Sequence, residues 1–163
     1  MEQIHSETLE LAIKILGSAN ELTLATVRGD GSPHASTVNF ANDNLTLYAA
    51  ISIDGGKAHD LTGEARVALT VNAPYDTWSE IQGMSIEGRA AFVTDPEELS
   101  LASALLLLKL PDYARIIRDP HVLPWPGMIF IRIAPEKITL LDYTRGFGHT
   151  EAFDLRRQDG APA

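Results

Sequence analysis

The chain has 163 residues, of which 45% are hydrophobic, and its formal net charge is −9. Its length suits one domain with its own core, expected over residues 1–157, followed by a polar and disordered tail over 158–163. The chain has 22 acidic and 13 basic residues, and this acidic excess disfavours binding to a nucleic acid. The absence of cysteine excludes disulfides, thiolate metal sites and cysteine nucleophiles, and a cytoplasmic location is expected.

Neither the first ten residues nor the longest apolar run of the sequence suggests a membrane partner. The first ten residues carry three glutamates, which is the opposite of a basic signal-peptide start. The longest apolar run, residues 99–110, is much shorter than the roughly 20 residues that span a bilayer. We therefore expect this run to lie in a core or in an interface between subunits.

Three helical segments accompany the strands in chain order. Apolar residues recur at helical spacing over 6–16, and a second, short helical pattern covers 57–62. The third helix covers the apolar run 99–110, and Thr94 and Glu97 before it suit a capping box. Because this helix carries leucine on every side, a barrel surface covers one face of it and a second subunit is expected to cover another. The sequence therefore predicts a homodimer.

Short segments rich in Val, Thr, Leu and Tyr predict seven strands. The first three form a meander with turns at Asp30–Gly31 and Asp43–Asn44, and the last two turn at Pro135–Glu136. The predicted strands are 22–28, 34–42, 45–51, 66–72, 81–93, 128–134 and 137–142. The fold class is mainly β, a barrel or sandwich with peripheral helices.

A glycine pair and a lysine follow the third predicted strand and open the helix over 57–62. Gly55 and Gly56 let backbone N–H groups approach an anion, a helix N-terminus attracts negative charge, and Lys57 adds a full positive charge. Together with Ser52 they predict a phosphate site, although a solvated loop with a surface lysine is an equally good interpretation. The spacing fits neither a Walker loop nor a G-x-G-x-x-G dinucleotide motif.

Other catalytic motifs are weak or missing in the sequence. The five histidines have no metal-ligand spacing, so no metal site is expected, and no G-x-S-x-G elbow marks a serine nucleophile. Several aromatic side chains near strand ends could stack on a planar ligand or serve as core anchors. They are Tyr75, Trp78, Trp125, Tyr143 and Phe147.

Residues 20–98 show an order of motifs that is more specific than any one of them. The run LATVRGDGSPHASTVNFANDNLTLYAAIS is followed by Lys57, by ARVALTVN and by IQGMSIEGRAAFVTDPEE. This order resembles the pyridoxamine 5′-phosphate oxidase-like FMN-binding split barrels. The resemblance implies a six- or seven-stranded split β-barrel and a homodimer with FMN at the subunit interface.

The resemblance also implies which residues line the cofactor cleft. Lys57 takes the place of a phosphate-binding lysine, and Gln82 of the partner subunit completes the cleft. Second-strand and third-strand residues meet the flavin ring or phosphate, namely His34, Ser36, Thr37, Val38, Asn39, Ala49, Ala50, Ile51 and Ser52. His34 is the candidate for a catalytic role on the substrate side, since an imidazole exchanges protons near neutral pH.

This chain departs from the family pattern at three basic positions. True pyridoxamine-phosphate oxidases carry arginine and lysine where this chain has His34 and Asn39, and their turn arginine is replaced by Gly56. Backbone N–H groups, Arg66 or Arg145 would have to compensate for the lost cations. The resemblance therefore implies an FMN-dependent oxidoreductase acting on a small molecule other than pyridoxamine phosphate.

The C-terminal string RGFGHTEAF resembles the haem-utilisation branch of the same superfamily. In that reading His149 is a candidate iron ligand, and the chain holds haem or another planar ligand without flavin turnover. A dimeric barrel without a cofactor is a third possibility, and the sequence leaves FMN and a deazaflavin equally open. Neither the substrate nor the electron donor follows from the sequence, because one fold supports many functions.

Overall fold

The structure is a computed structural model that describes residues 6–157; the tail predicted over 158–163 lies outside this part of the chain. Three α-helices and eight strands make up the fold, with short 3₁₀ turns between them. In chain order they are α1 (Ser6–Ser18), β1 (Glu21–Val27), β2 (Pro33–Asn39), β3 (Ala41–Asp43), β4 (Thr46–Ser52), α2 (Gly56–Gly63), β5 (Arg66–Asn72), β6 (Gln82–Phe92), α3 (Pro96–Lys109), β7 (Met128–Asp142) and β8 (Thr150–Asp154).

The strands form one antiparallel sheet in the order β2-β1-β5-β6-β7-β4-β3. β8 lies off this path and pairs with residues 137–141 of β7. The sheet curls until β2 lies beside β4, which gives the predicted split β-barrel. Along β5 exposed and buried residues alternate, as expected for a strand with one face in a core. The interior is filled by fully buried residues such as Leu24, Ile86 and Ile138, and α1 adds Ile15 and Leu16 to this core.

The predicted three-stranded meander is confirmed at both of its turns, but its second strand is divided in two. β1 and β2 pair along their whole length, but β2 ends at Asn39, and the buried Phe40 separates it from β3. β3 forms a hairpin with β4 around Asn44, which has a φ of 51°. The other side of β4 pairs with β7. Local alternation predicts that a segment is a strand, whereas its neighbours in the sheet depend on segments far along the chain.

Residues 128–142 form one long strand where the sequence predicts a hairpin. β7 pairs with β6 along its length, and the register shifts at Pro135–Glu136, opposite Glu87 and Gly88. This shift is a β-bulge, a position at which a strand tolerates proline because no ladder N–H is needed. The bulge requires Gly88, because a Cβ there would overlap the carbonyl oxygen of Ala134.

α3 packs on the outer face of the sheet and keeps part of its apolar surface exposed. Its buried side forms a second core with residues from the sheet and the following loop, which include Leu99, Ala102, Leu106, Tyr48, Trp125 and Phe130. On its other side Leu101 and Leu108 are 40% and 83% exposed. The helix is therefore apolar beyond the face that the barrel covers, as the sequence predicts.

The N-terminus of α3 differs from the predicted capping box. Asp95, not Thr94, is the N-cap, and its Oδ2 accepts a hydrogen bond of 3.0 Å from the backbone N of Glu98. Pro96 occupies the first turn, where a missing N–H costs nothing. Within residues 6–157 none of the helices combines the length and the apolar character needed to cross a membrane.

Candidate functional site

The sequence-predicted site residues lie at two opposite ends of the barrel. Ser52 ends β4 beside the first residue of β7, and α2 follows directly, so we call this the α2 end. Gln82 begins β6 and pairs with Asp142, the last residue of β7, so we call this the Gln82 end. β7 has 15 residues, which corresponds to roughly 45 Å along the strand. One protomer therefore does not bring Gln82 or the neighbouring Arg145 to Lys57.

The N-terminus of α2 has no side-chain cap. Its N-cap is Gly55, which has no side chain to accept hydrogen bonds from the first N–H groups. These groups also lack partners within the helix, so they can serve an anion. Lys57 is partly buried and forms no ion pair with another residue of the described part of the chain. The backbone donors of the first turn and Lys57 thus belong to the same helix end, and their use by a phosphate stays a prediction.

Both glycines of this turn are tightly surrounded. A Cβ on Gly55 would lie 3.2 Å from the carbonyl oxygen of Ser52. A Cβ on Gly56 would lie 3.3 Å from Cε1 of His34. Glycine therefore lets the chain turn tightly after β4 at Gly55 and lets the first turn of α2 lie against β2 at Gly56.

A buried carboxylate holds His34 against α2. The Nδ1 of His34 lies 2.9 Å from Oδ2 of Asp60, and Thr26 donates a hydrogen bond of 2.8 Å to the same oxygen. Asp60 is 5% exposed and the His34 side chain 25%. The hydrogen bond from His34, followed by that from Thr26, lowers the pKa of Asp60. The carboxylate is therefore charged at neutral pH, and Nδ1 of His34 carries the proton that it donates.

Sequence reasoning missed Asp60 and Thr26. The available signal was their spacing, because Asp60 lies four residues after Gly56 and so on the same face of α2. Thr26 pairs with His34 in the β1–β2 ladder, which places both side chains on one face of the sheet. Neither spacing stands out until the helix is known to pack on that ladder.

The other predicted residues of β2 and β4 alternate between two faces of the sheet. Val38 and Ile51 lie in the barrel core and are 6% and 3% exposed. Facing outward are Ala50, which packs in the core under α3, and the exposed Thr37, Asn39 and Ser52. The side chains of this set therefore do not share one ligand-facing surface. Ser36 points inward, and its buried Oγ has no hydrogen-bond partner among the described residues.

Arg66 begins β5 at the α2 end and lines a cleft there. The cleft has a volume of about 590 Å³ and is bordered by Arg28, His59 and Arg66 among others. Arg66 is paired with Glu64, and its hydrogen bonds lower the pKa of Glu64 to about 2. Of the two arginines considered as replacements for the lost cations, Arg66 is therefore the one at the same end as Lys57.

Polar groups at the Gln82 end form two linked clusters. Gln82 donates a hydrogen bond of 3.1 Å to Asp142, a carboxylate that Thr144 also contacts. Glu151 accepts hydrogen bonds from Arg145 and from Nε2 of His149. A cavity of about 320 Å³ lies between this cluster and α1. Glu151 belongs to β8, a strand that the sequence analysis did not predict.

Three of the five aromatic residues form a surface cluster at the Gln82 end. The rings of Trp78, Tyr143 and Phe147 meet edge to face with centroid distances of 5.2–6.4 Å. Trp78 is 61% exposed and Phe147 is 81% exposed. Trp125, by contrast, is a core residue under α3. Within residues 6–157 there is no group of three or more histidine, aspartate or glutamate residues that could hold a metal ion.

The curled sheet defines a split β-barrel protein, in which the N-terminus of α2 has no side-chain cap. The family model for pyridoxamine 5′-phosphate oxidase matches residues 10–142, and the chain therefore belongs to this family. Among curated proteins it is 28% identical over 127 residues to the F420H2-dependent biliverdin reductase of Mycobacterium tuberculosis. The match covers 78% of this chain and 83% of that protein.

Solved structures with the same fold include proteins named for haem. A haem-binding protein of Mycobacterium smegmatis is similar with a TM-score of 0.77 and 18% identity. The match covers 93% of this chain, which spans 60% of the length of that protein. The haem storage protein HutZ of Vibrio cholerae is similar with a TM-score of 0.61 and 17% identity, over 83% of this chain and 92% of the other. At these identities the likeness shows the shared fold.

Proposed function

We propose that the chain is a homodimeric FMN-binding oxidoreductase whose α2 end holds the cofactor phosphate. The observation that carries the proposal is the uncapped N-terminus of α2, whose second residue, Lys57, forms no ion pair within residues 6–157. A phosphate supplies the negative charge that free N–H groups and an ammonium group need. Membership of the pyridoxamine 5′-phosphate oxidase family makes FMN the first candidate for the molecule that carries this phosphate.

The donor set at the α2 end fits a phosphate although it contains fewer cations than the family pattern. A hydrogen bond to a charged group contributes roughly 1.5–3 kcal/mol. The first N–H groups of α2 and the ammonium group of Lys57 offer several such bonds. Together they approach the roughly 8 kcal/mol that corresponds to micromolar affinity. Gly56, the first residue of α2, is exposed to solvent.

A second copy of the chain supplies the rest of the cleft in this proposal. Gln82 and Arg145 lie at the other end of the barrel, so they reach a flavin bound beside Lys57 only from another protomer. The exposed side of α3, with Leu101 and Leu108, gives the second copy an apolar surface to bury. Both features support a symmetric dimer in which each site draws on two chains.

FMN, when bound, accepts and donates a hydride at N5 of its ring. The residues of the chain bind the phosphate, orient the ring and exclude water from it. The exposed rings of Trp78 and Phe147 offer apolar faces, against one of which a planar small-molecule substrate can stack. The relative named as an F420H2-dependent biliverdin reductase makes a deazaflavin the second candidate cofactor.

An absorption spectrum of the purified protein, followed by titration with FMN, tests the proposal. We expect a flavin spectrum and a Kd that rises about tenfold or more in Lys57→Ala, because one charge-assisted bond is lost. Lys14→Ala is the matched control, since Lys14 is an exposed lysine on α1. Failure of the wild-type protein to bind either FMN or a deazaflavin would reject the proposal.

Haem is the alternative ligand, and one observation favours it. His149 lines the cavity at the Gln82 end together with Arg145, a cation that could pair with a haem propionate. The imidazole is engaged by Glu151 through Nε2, so iron would have to bind at Nδ1 or displace the carboxylate. A Soret band that appears on addition of haem and is lost in His149→Ala would support this function over flavin binding.

A further inference from the structure

We propose that His34, held by Asp60, takes up a proton when a phosphate group binds at the α2 end, so that cofactor binding is linked to pH. The inference rests on the proposed function, since it concerns how the same site holds its phosphate. It assigns a binding role to Nε2 of His34 and makes Asp60 a positioning residue that acts through the imidazole.

The hydrogen bond to Asp60 occupies Nδ1 of His34 and leaves Nε2 as the nitrogen that a ligand can contact. Asp60 holds the ring through Nδ1, which lies 2.9 Å from its Oδ2, and Thr26 donates a hydrogen bond of 2.8 Å to the same oxygen. The edge formed by Nδ1 and Cε1 faces α2, because a Cβ on Gly56 would lie 3.8 Å and 3.3 Å from these two atoms. Nε2 is the other nitrogen bonded to Cε1, and it makes no hydrogen bond to a described residue. It adjoins Cε1, the ring atom nearest to Gly56, and its bonding capacity toward the described residues is unused.

The charges around His34 decide what Nε2 does when an anion arrives. With Nδ1–H donated to Asp60, a neutral imidazole presents only a lone pair at Nε2, which repels a phosphate oxygen. A second proton turns Nε2 into a donor, and the ring then lies between two anions, the carboxylate and the phosphate. Such a charge-assisted bond is stronger than a neutral one. Phosphate binding therefore favours the doubly protonated ring.

Other groups near the ring do not supply this proton response. α2 contributes Lys57 and His59 besides Asp60, and β1 is followed by Arg28, which also acts on the Asp60 carboxylate. β4 contributes Tyr48, whose hydroxyl bonds to Glu98 on the outer side of the sheet. Of the residue types lysine, arginine and histidine, only histidine ordinarily changes its charge between pH 5 and 8, and His59 is an exposed side chain. His59 is therefore the matched control histidine.

Isothermal titration calorimetry with FMN at pH 8, in buffers of different ionisation enthalpy, measures the protons taken up. At this pH the phosphate is already a dianion, because its second pKa is about 6, so uptake comes from the protein. We expect wild type to take up close to one proton per FMN, on the order of the full ionisation of one imidazole. Riboflavin, which lacks the phosphate, should bind without uptake.

Variants assign the proton to His34. His34→Gln should bind FMN without proton uptake and about tenfold or more weakly, whereas His59→Gln should match wild type. Asp60→Asn keeps the size of the side chain and removes its charge, so it should reduce the uptake and move the pH dependence of FMN affinity to lower pH. If His34→Gln does not fold, Asp60→Asn tests whether the proton is taken up by His34.

The outcomes separate the two proposals. FMN binding by wild type without proton uptake, or uptake that persists in His34→Gln, would overturn the role of His34 and leave the proposed function standing. A wild-type protein that binds FMN under none of the conditions would reject the proposed function, and this inference with it.

Discussion

Lys109 at the end of α3 donates a hydrogen bond of 2.8 Å from Nζ to the carbonyl oxygen of Leu16 in the last turn of α1. The ammonium group also lies 3.8 Å from the centroid of the Phe40 ring, a cation–π distance. Burial lowers the pKa of Lys109 from 10.5 to about 8. The side chain of Lys109 thus connects α3 to α1 and contacts Phe40, the residue between β2 and β3.

The lowered pKa predicts a rise in stability at alkaline pH. An unfolded chain keeps its lysine pKa near 10.4, so between pH 8 and about pH 10 the unfolded state binds more protons than the folded state. The free energy of unfolding should therefore increase with pH in this window, while below pH 8 both states are protonated and the burial penalty is constant. Urea unfolding at several pH values measures the effect.

Two variants assign the effect to this lysine. Lys109→Met should remove the rise between pH 8 and 10, because it keeps the aliphatic stem without the titrating group. Lys14→Met, on the exposed face of α1, should leave the rise unchanged. A rise of the same size in Lys109→Met would contradict the prediction.

The bulge in β7 predicts that Gly88 cannot be replaced. Gly88→Ala would push a Cβ against the backbone at Ala134 and Pro135, and backbone atoms cannot move away as a flexible side chain can. We expect a loss of about 2 kcal/mol or more in the free energy of unfolding, in line with other cases of overpacking. Chemical denaturation monitored by circular dichroism measures it.

Gly17 in α1 is the control for this substitution. A Cβ there meets nothing within 4 Å, and alanine favours a helix over glycine by about 1 kcal/mol. Gly17→Ala should therefore stabilise the protein slightly. Equal effects of the two substitutions would show that the bulge does not need its glycine.

Much of the fold could be predicted because its strands alternate clearly. β1, β5 and β6 lie within one or two residues of their predicted bounds, since each has one face in the core. The predicted turn at Pro135–Glu136 was wrong because proline marks a turn and a bulge equally well. β8 was missed because its five residues follow a glycine-rich loop and carry little alternation.

The candidate site was predictable in its backbone and less so in its partners. Gly55, Gly56 and Lys57 lie together because they are adjacent in the chain and open one helix. Asp60 contacts His34 only because α2 packs on the β1–β2 ladder, a tertiary contact that local patterns do not contain. The position of Gln82 at the opposite end follows from the antiparallel pairing of β6 with β7.

The contact between Gly56 and His34 predicts a specific loss of cofactor affinity. Gly56→Ala places a methyl group 3.3 Å from Cε1 of His34, so the ring must shift from its position beside the first turn of α2. We expect FMN affinity to fall about tenfold, the equivalent of one weakened charge-assisted bond, while the fold is kept. Fluorescence titration of FMN measures the affinity.

Gly63, the last residue of α2, provides the comparison. A Cβ at Gly63 meets nothing within 4 Å, so Gly63→Ala should leave FMN affinity unchanged. If both alanine variants bind FMN as wild type does, the first turn of α2 is not where the phosphate lies.

The separation of Lys57 from Gln82 predicts that each cofactor site is shared between two subunits. Lys57→Ala and Gln82→Ala should each weaken FMN binding in the homodimer. A heterodimer of the two variants contains one site with both substitutions and one with neither, because each site takes Lys57 from one chain and Gln82 from the other. Differently tagged variants can be mixed, refolded and purified as the heterodimer.

We expect this heterodimer to bind one FMN per dimer with wild-type affinity, although each parent homodimer binds weakly. A site contained within one protomer would give a different result, because both of its sites would then carry one substitution each and both would stay weak. The opposite ends at which the strands place the two residues make the shared site the geometry to expect. Recovery of one normal site therefore measures the dimer arrangement and the role of Gln82 in a single titration.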